Sequence, residues 1–386
     1  MPIEFSSTAA DPAAYLPQPA DGAAPPAGAP GTLQAAVDGV VTYIAGRGFN
    51  FQTWQVAAFV TAVRTKPFVI LAGISGTGKT KLPQLVAEAA GAECRIVPVR
   101  PDWTDSSDLL GYEQLGGKFI PGDLLQLCKA AADSPDRQYF FVLDEMNIAR
   151  VEYYFAEVLS VIETRTVQGG VQVSEPLSPR APDPWGAVRL PANVCIVGTV
   201  NMDETTHGFS RKVLDRAFVI ELADVNLSLI QEVDPNLTPV QWPIKNWQLP
   251  FPRLADVPDV DHDARVSASI TALTTVNDVL ERGQLQVGYR VRDEVALFCV
   301  NASDCADSFV DADETVVSPL DLCITMKVLP RIQGGGALVR QVLEGMKAWA
   351  VPDPDASTNT DFPQTLKRVD LMLTRLAETG FTSYWI

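Results

Sequence analysis

The strongest chemical signal in the chain is a glycine-rich segment that ends in lysine and threonine, GISGTGKT at residues 73–80. It follows a short apolar run and opens a predicted helix, the context that phosphate-binding loops require. Glycine lets successive backbone N–H groups point at phosphate oxygens, and a helix N-terminus adds positive potential. A chance glycine-rich turn is the alternative. We expect seven residues to bind a nucleotide: Gly73, Ser75, Gly76, Thr77, Gly78, Lys79 on the β- and γ-phosphates, and Thr80 on Mg²⁺.

An acidic pair, Asp144-Glu145, follows a second apolar run at residues 139–143. A parallel strand that ends in two carboxylates presents them at the sheet edge where ligands bind. There Asp144 would bind nucleotide and hold Mg²⁺ through its water shell, and Glu145 would act as general base on the attacking water. The alternative is a solvated acidic pair at the end of a buried strand.

Asn201 ends a third apolar run, which begins at Val194. From a neighbouring strand its amide would hydrogen-bond the γ-phosphate or the attacking water, which makes it a catalytic candidate. The alternative is a simple asparagine turn.

Arg216 is the third catalytic candidate, because it directly precedes the last predicted strand. An arginine there could project from one subunit into the nucleotide site of the next, where such a group contributes about 10³–10⁵ in rate in other enzymes. Arg211 is the second choice. The alternative for Arg216 is a surface salt bridge with Asp215 or Glu221.

Two further arginines, Arg290 and Arg292, open a predicted helix much later in the chain. Either could reach the γ-phosphate from a helical lid, and we take Arg290 as the nucleotide-binding candidate. A pair with Asp293 or Glu294 is the alternative.

The elements that must position these groups can be read from the apolar pattern. Short apolar runs predict buried strands near residues 67–71, 94–99, 139–143, 194–197 and 218–222. Helical patterns at 79–90, 122–132 and 151–163 alternate with them, and two more, at 33–45 and 52–65, precede them. This alternation predicts an α/β fold, a parallel sheet with helices on both faces.

The chain divides into three predicted regions. Residues 1–31 are rich in proline and alanine and are predicted to be a disordered tail. Residues 32–228 form the nucleotide-binding α/β domain. Residues 229–386 begin with a connection rich in proline and aspartate and continue as a helical lid, with helices predicted at 265–281, 291–302, 318–329, 336–349 and 363–379.

The net charge of −17 excludes a generally basic nucleic-acid binder. Residues 1–46 hold four acids and no base, and residues 251–320 hold 13 acids and five bases, which places the acidity in the tail and the lid. No apolar run is long enough to span a membrane, and neither a secretory signal nor a zinc spacing among the six cysteines is visible. We therefore expect a cytoplasmic protein.

Five phrases together resemble the AAA+ ATPases, and within them the McrB-like group that is related to MoxR proteins. They are GISGTGKT at 73–80, WTDSSDLLGY at 103–112, LDEMNIARVEYYFAEVLSVIETR at 143–165, GTVNMDETTHGFSRKVLDRAF at 198–218 and GYRVRDEV at 288–295. The first is shared by many families, whereas the three middle phrases in this order are much more specific. The resemblance covers roughly residues 40–386.

The resemblance implies a P-loop AAA+ domain with a parallel αβα sheet, followed by a helical lid, in a hexameric ring with nucleotide sites between subunits. It makes Asn201 the sensor-1 residue and Arg216 the arginine finger. It also implies two hairpins near the ring channel, at 111–121 and about 166–191. Four basic residues lie in or beside them, so the net charge does not argue against nucleic acid at the channel, where binding would depend on assembly or on a partner: Lys118, Arg165, Arg180 and Arg189.

The function that the resemblance implies is hydrolysis of ATP or GTP, with Mg²⁺ as cofactor. The chain would be the motor or switch subunit of a McrBC-like restriction or anti-phage complex, with a McrC-like nuclease as partner and DNA contacted through that partner or the channel. A MoxR-like chaperone ATPase that remodels a protein client is the alternative, and a nucleotide-gated scaffold with little hydrolysis is a third.

Overall fold

The structure is a computed structural model that describes residues 32–169, 171–202, 207–223, 233–234, 236–249, 251–351 and 362–385. The predicted disordered tail at residues 1–31 lies outside this range. The described chain forms two compact units. Among the described residues, the α/β unit contains 32–252, Asp307–Thr315 and Trp385, and the helical unit contains Arg253–Ala306 and Val316–Tyr384.

A five-stranded sheet forms the centre of the α/β unit. Its strands are β1 (Phe68–Gly73), β2 (Glu93–Pro98), β3 (Tyr139–Asp144), β4 (Val194–Asn201) and β5 (Phe218–Glu221). They lie in the order β2-β3-β4-β1-β5. All four pairings are parallel, so every strand ends at the same edge of the sheet.

The apolar runs that predicted these strands are buried because helices and loops cover both faces of the sheet. Every residue of β1 is buried, and in β3 and β4 only the last residue is partly exposed. The edge strand β2 is the exception, since its residues are half-buried or exposed. The predicted α/β class with a parallel sheet is confirmed, and each predicted strand lies within a few residues of the observed one.

The helices of the α/β unit agree closely with the sequence pattern. They are α1 (Leu33–Gly46), α2 (Thr53–Thr65), α3 (Lys81–Ala90), α4 (Asp123–Asp133) and α5 (Ala156–Glu163), with short helices at Ser107–Leu110, Val151–Tyr154 and Arg211–Leu214 and 3₁₀ turns at Met146–Ile148 and Trp185–Ala187. The helix predicted at 151–163 is divided at Phe155, whose backbone leaves the helical region. The ring of Phe155 is buried, 5.3 Å from that of Phe68 at the start of β1.

Two hairpins extend from the α/β unit. The first hairpin pairs Tyr112–Glu113 with Phe119–Ile120, and the exposed Leu115 lies in its turn. The second hairpin pairs Thr166–Gln168 with Val171–Val173 directly after α5. Both lie inside the segments in which the sequence predicted hairpins.

The long connection after β5 packs on the α/β unit for much of its described length. Trp242 and Trp247 are buried with ring centroids 4.5 Å apart, and Trp247 lies 5.4 Å from Phe140 of β3. Later in the chain, residues 307–315 also belong to this unit, where Ser308 accepts a hydrogen bond of 2.7 Å from Gln34 of α1. Part of the acidic stretch that we had placed in the lid, Asp311–Glu314, therefore lies in the α/β unit.

The helical unit contains α6 (Ala264–Glu281), α7 (Tyr289–Ala302), α8 (Pro319–Cys323), α9 (Ala337–Ala350) and α10 (Pro363–Thr379). Gln333–Gly335 pairs with Phe381–Ser383, and shorter turns lie at Ile244–Asn246 in the connection and at Leu254–Asp256 and Ser303–Ser308. The helix predicted at 318–329 widens into a π-helix at Ile324–Val328 and ends in a 3₁₀ turn at Leu329–Arg331, because Pro330 has no N–H to continue it.

Candidate functional site

The strand register brings the predicted site residues to one edge of the sheet. Gly73, the last residue of β1, lies beside Asn201, the last residue of β4. Leu143 of β3 lies beside Gly198 of β4, so Asp144 and Thr199 are the next neighbours along these two strands. Groups that are far apart in the sequence therefore meet at the carboxyl edge, where the ligands of open α/β sheets bind.

The glycine-rich loop between β1 and α3 turns through two glycines with positive φ. Gly76 and Gly78 have φ values of +83° and +87°, a region that other residues rarely adopt. A side chain at Gly78 would also lie 2.8 Å from the ring of Phe51. The ammonium of Lys79 lies within the loop, 3.1 Å from the carbonyl oxygen of Gly73 and 2.6 Å from that of Ile74. The loop thus holds a buried cation at its centre, as phosphate binding requires.

Asp144 lies at the centre of a small hydrogen-bond network. Its Oδ1 accepts from the hydroxyl of Thr80 at 2.6 Å and from the hydroxyl of Thr199 at 2.7 Å. Thr199 in turn accepts a bond of 2.9 Å from the backbone N–H of Glu145. One threonine therefore fixes both members of the acidic pair.

Glu145 leaves the line of β3 because its backbone is left-handed, with φ of 54°. Such a conformation costs of the order of 1–3 kcal/mol outside glycine and is enriched at functional sites. The turn brings Oε1 of Glu145 to 3.2 Å from the side-chain amide of Asn201, which donates to it. The structure thus brings the predicted base and the predicted asparagine into direct contact.

These groups line a cavity of about 460 Å³, within the range of pockets that hold small-molecule ligands. Its wall includes two elements that sequence reasoning missed. Thr199 is one, and the loop Gly48–Phe51 before α2 is the other. The aromatic residues of that loop belong to no recognisable motif. Their one signal in the sequence is their position, immediately before the helix that leads into the first strand.

The donor set around Asp144 suits Mg²⁺. This ion prefers hard oxygen ligands and is usually bound by one or two carboxylates together with phosphate oxygens and water. The carboxylate of Asp144 and the hydroxyl of Thr80 lie 2.6 Å apart at the mouth of the phosphate loop. No cluster of three or more His, Cys, Asp or Glu side chains suited to a metal occurs among the residues that the structure describes.

Arg216 forms an ion pair within its own chain. Its guanidinium contacts Glu163 at the end of α5 and donates to the carbonyl oxygen of Lys212 at 2.5 Å. The observed ion-pair partner is Glu163, a residue that the sequence analysis does not name. Arg216 is largely buried, whereas Arg211 is exposed at the start of its short helix.

The two arginines of the predicted lid lie at the start of α7. Arg290 is exposed in the first turn. Arg292 pairs with Asp293 at 2.6 Å and lies over the ring of Tyr289, 5.0 Å from its centroid. The alternative that the sequence offered is thus observed for Arg292.

The four basic residues expected near a ring channel differ in exposure. Lys118 in the first hairpin and Arg180 after the second hairpin are exposed. Arg189 is also exposed and donates to the carbonyl oxygen of Ser174, whereas the Nε and Nη2 atoms of Arg165 are buried. Three of the four basic residues are therefore exposed, and Arg165 is the exception.

Comparison with known families places residues 68–219 in the AAA domain, dynein-related subfamily. Residues 246–381, which cover most of the helical unit, match a domain of unknown function, DUF8727. In the part of the chain for which coordinates are described, no helix has the length and hydropathy needed to cross a membrane.

Two curated proteins show similarity to part of this chain. The chain is 28% identical over 160 residues to the Type IV methyl-directed restriction enzyme EcoKMcrB subunit of Escherichia coli K12, a match that covers 40% of this chain and 34% of that protein. It is 27% identical over 176 residues to Midasin of Giardia intestinalis, covering 45% of this chain and 3% of that one. The chain thus spans only about a third of the first relative and a small part of the second.

Among solved structures, a candidate ATPase from Cytophaga hutchinsonii is 14% identical, with a TM-score of 0.44 over 77% of this chain and 87% of that one. This likeness is too low to carry an argument. The sheet order, the phosphate loop and the matched family model define the class of this part of the chain: residues 68–219 form an AAA+ domain. Within that class, the similarity to the EcoKMcrB subunit indicates a relation to McrB.

Proposed function

We propose that the chain is a ring-forming nucleoside triphosphatase that serves as the motor or switch subunit of a McrBC-like restriction or anti-phage complex. The observation that carries the proposal is the linked network of Thr80, Asp144, Thr199, Glu145 and Asn201 beside the phosphate loop. It unites the groups that bind phosphate with those that would handle water, in a cavity of about 460 Å³.

The phosphate end of the nucleotide would be bound by the N–H groups of the loop and by Lys79. The ammonium of Lys79 would exchange the carbonyl oxygens of Gly73 and Ile74 for phosphate oxygens. Thr80 and Asp144 would hold Mg²⁺, which when bound neutralises charge on the phosphates. The loop at Gly48–Phe51 lies on the wall of the same cavity and is the proposed contact for the rest of the nucleotide.

Glu145 is the proposed general base. Asn201 donates to Oε1 of Glu145 at 3.2 Å, so it orients the carboxylate and leaves Oε2 to accept a proton from water. Arg216 is the proposed finger that acts on the nucleotide of a neighbouring subunit, and Arg290 the proposed lid contact. Both roles require an oligomer, which we propose to be a hexameric ring.

Substitution of Glu145 tests this assignment. Glu145→Gln should keep nucleotide affinity and assembly but lose about 10²–10⁴ in turnover, because the amide cannot accept the proton. Lys79→Ala should lose nucleotide binding itself, and Glu157→Gln on the exposed face of α5 is the matched control. Substantial hydrolysis by Glu145→Gln would mean that another residue is the base.

The role in a restriction complex rests on the relative described as a restriction enzyme subunit. The MoxR-like chaperone stays as the alternative, because the match to the restriction enzyme subunit covers only 34% of that protein. The genes beside this one separate the two. A neighbouring gene for a McrC-like nuclease would support restriction, with DNA contacted through that partner, whereas a neighbouring metalloenzyme operon would support the chaperone.

A further inference from the structure

A second cavity lies at the opposite edge of the central sheet, where the strands begin. It has a volume of about 130 Å³ and is lined by residues that precede β1, β3 and β4, together with Arg165, Gln172 and Trp247. A strand rises about 3.3 Å per residue, so the six residues of β1 separate it from the phosphate loop by about 20 Å. The two cavities are therefore distinct.

Three cationic side chains, Arg64, Lys66 and Arg165, line this second cavity. Arg64 and Lys66 are only 7% and 8% exposed. Among the described residues that line it there is no aspartate or glutamate. In a chain with a net charge of −17, three cationic side chains beside one cavity are a local concentration of positive charge.

Arg165 has buried donor atoms that point to a ligand. Its Nε and Nη2 atoms are buried and make no hydrogen bond with any described residue. Burial lowers the pKa of its guanidinium to about 10, so the group is still charged at neutral pH. Leaving a charged donor without an acceptor costs more than the 1–3 kcal/mol of a neutral buried group. A planar guanidinium of this kind matches two oxygens of one ligand.

We propose that this cavity binds a phosphate group. The volume of about 130 Å³ has room for one oxyanion and is well below the about 300–1,000 Å³ of pockets that hold larger ligands such as nucleotides. A phosphate group carries a charge of about −1.5 to −2 near neutral pH, which compensates several cations better than a single carboxylate does. The amide of Gln172, which also lines the cavity, can complete the set of donors.

Binding there would affect the second hairpin. Arg165 directly precedes its first strand and Gln172 lies in its second strand. Gln138, which directly precedes β3, and Val194, the first residue of β4, line the same cavity. A bound phosphate would therefore tie the base of the hairpin to the central sheet, at a site that nucleotide hydrolysis does not use.

The test measures binding of radiolabelled inorganic phosphate to the full chain by equilibrium dialysis at constant ionic strength. The Lys79→Ala background removes phosphate binding at the nucleotide loop, so the result does not depend on hydrolysis. We expect saturable binding of one phosphate per chain. Arg165→Gln in that background should lower the affinity about 10- to 100-fold, the effect of losing hydrogen bonds to a charged group.

Two further variants keep the test decisive. Gln172→Glu places a carboxylate in the cavity and should abolish phosphate binding even if Arg165→Gln fails to fold. Arg180→Gln, at an exposed arginine in the same segment, should leave the affinity unchanged. Competition by phosphoserine would identify a phosphate carried on a small molecule, and its failure to compete would identify the free ion. No saturable binding, or equal affinity in folded Arg165→Gln, would overturn the proposal.

Discussion

Two aspartates, one in each unit, have similar partners and very different surroundings. Asp144 of the α/β unit accepts hydrogen bonds from the hydroxyls of Thr80 and Thr199 and is partly exposed at the large cavity. Asp321 of the helical unit is fully buried and accepts from the hydroxyl of Thr365 at 2.7 Å. It also accepts from the backbone N–H groups of Gln364 and Thr365, at 2.7 and 2.9 Å.

The difference lies in what each carboxylate can exchange. The donors to Asp144 are side-chain hydroxyls beside open space, so a metal ion can replace them at low cost. The backbone donors to Asp321 are the first N–H groups of α10, which need an acceptor in the folded state. One aspartate is therefore suited to chemistry and the other to capping a helix.

The two glutamates of interest follow the same rule. Glu145 faces the large cavity and contacts the neutral amide of Asn201. Glu294 of α7 pairs with Lys327 at 2.7 Å, and the lysine side chain is fully buried. A buried pair of this kind neutralises itself and serves packing, whereas the carboxylate of Glu145 has an oxygen left for a ligand.

Arg216 does not fit this contrast between chemical side chains in the α/β unit and structural side chains in the helical unit. It lies in the α/β unit, but it forms an ion pair as a structural residue does. If it acts on a neighbouring subunit, Arg216→Ala should lower turnover by about 10³–10⁵ while nucleotide affinity persists. Steady-state hydrolysis and nucleotide binding by the assembled protein measure the two effects. Mixing with Lys79→Ala subunits should restore some activity, because each variant supplies what the other lacks.

Glu163→Gln is the matched control for Arg216→Ala. It removes the same ion pair but keeps the arginine. If the pair only stabilises the fold, both variants should lose similar stability, about 1–2 kcal/mol for a partly exposed pair, and similar activity. Equal loss of turnover in both would place Arg216 among the structural residues.

Asp321→Asn tests the other side of the comparison. The asparagine amide would face the N–H of Gln364 with a donor, so the free energy of unfolding at neutral pH should fall by about 1–3 kcal/mol. Urea denaturation monitored by circular dichroism gives this value. Nucleotide turnover of the folded protein should not change, since Asp321 is proposed to cap a helix only.

The pH dependence of Asp321 adds a second readout. Burial raises the pKa of this carboxyl from 3.8 to about 6. The folded state therefore holds its proton more tightly than the unfolded state, and stability falls as pH rises from about 4 to 6, by up to ~3 kcal/mol. Asp321→Asn lacks this dependence, so the difference in free energy of unfolding between the original protein and Asp321→Asn should be larger at pH 4 than at pH 7. If this difference in free energy of unfolding does not change with pH, the raised pKa of Asp321 is contradicted.

Much of the fold could be predicted from sequence because its signals are local. Buried parallel strands are continuous apolar runs, and the phosphate loop requires glycine where φ is positive, as at Gly76 and Gly78. The division of the helix at Phe155 and the π-helix after Cys323 were not predicted, because they depend on packing against other elements.

The missed parts of the candidate site depend on pairings that the sequence does not contain. Glu163 as the partner of Arg216 follows from how α5 packs, and no spacing rule indicates it. Phe51 reaches the loop only because α2 begins beside β1, where its ring contacts Gly78. Arg165 was expected at a channel, yet its guanidinium is directed inward to a cavity that only the assembled sheet creates.

Thr199 is the missed residue that permits the finest test of the comparison. Its hydroxyl donates to Asp144 and accepts from the N–H of Glu145, so Thr199→Val keeps the shape but removes both bonds. Without these bonds Asp144 and Glu145 are held less firmly, so turnover should fall about tenfold, or ~1.4 kcal/mol, with little change in nucleotide affinity. Thr199→Ser keeps the hydroxyl and should restore turnover. Thr365→Val removes the equivalent bond to Asp321 and should lower stability without changing turnover. If Thr199→Val and Thr365→Val change turnover and stability in the same way, Asp144 and Asp321 do not have the different roles that their surroundings indicate.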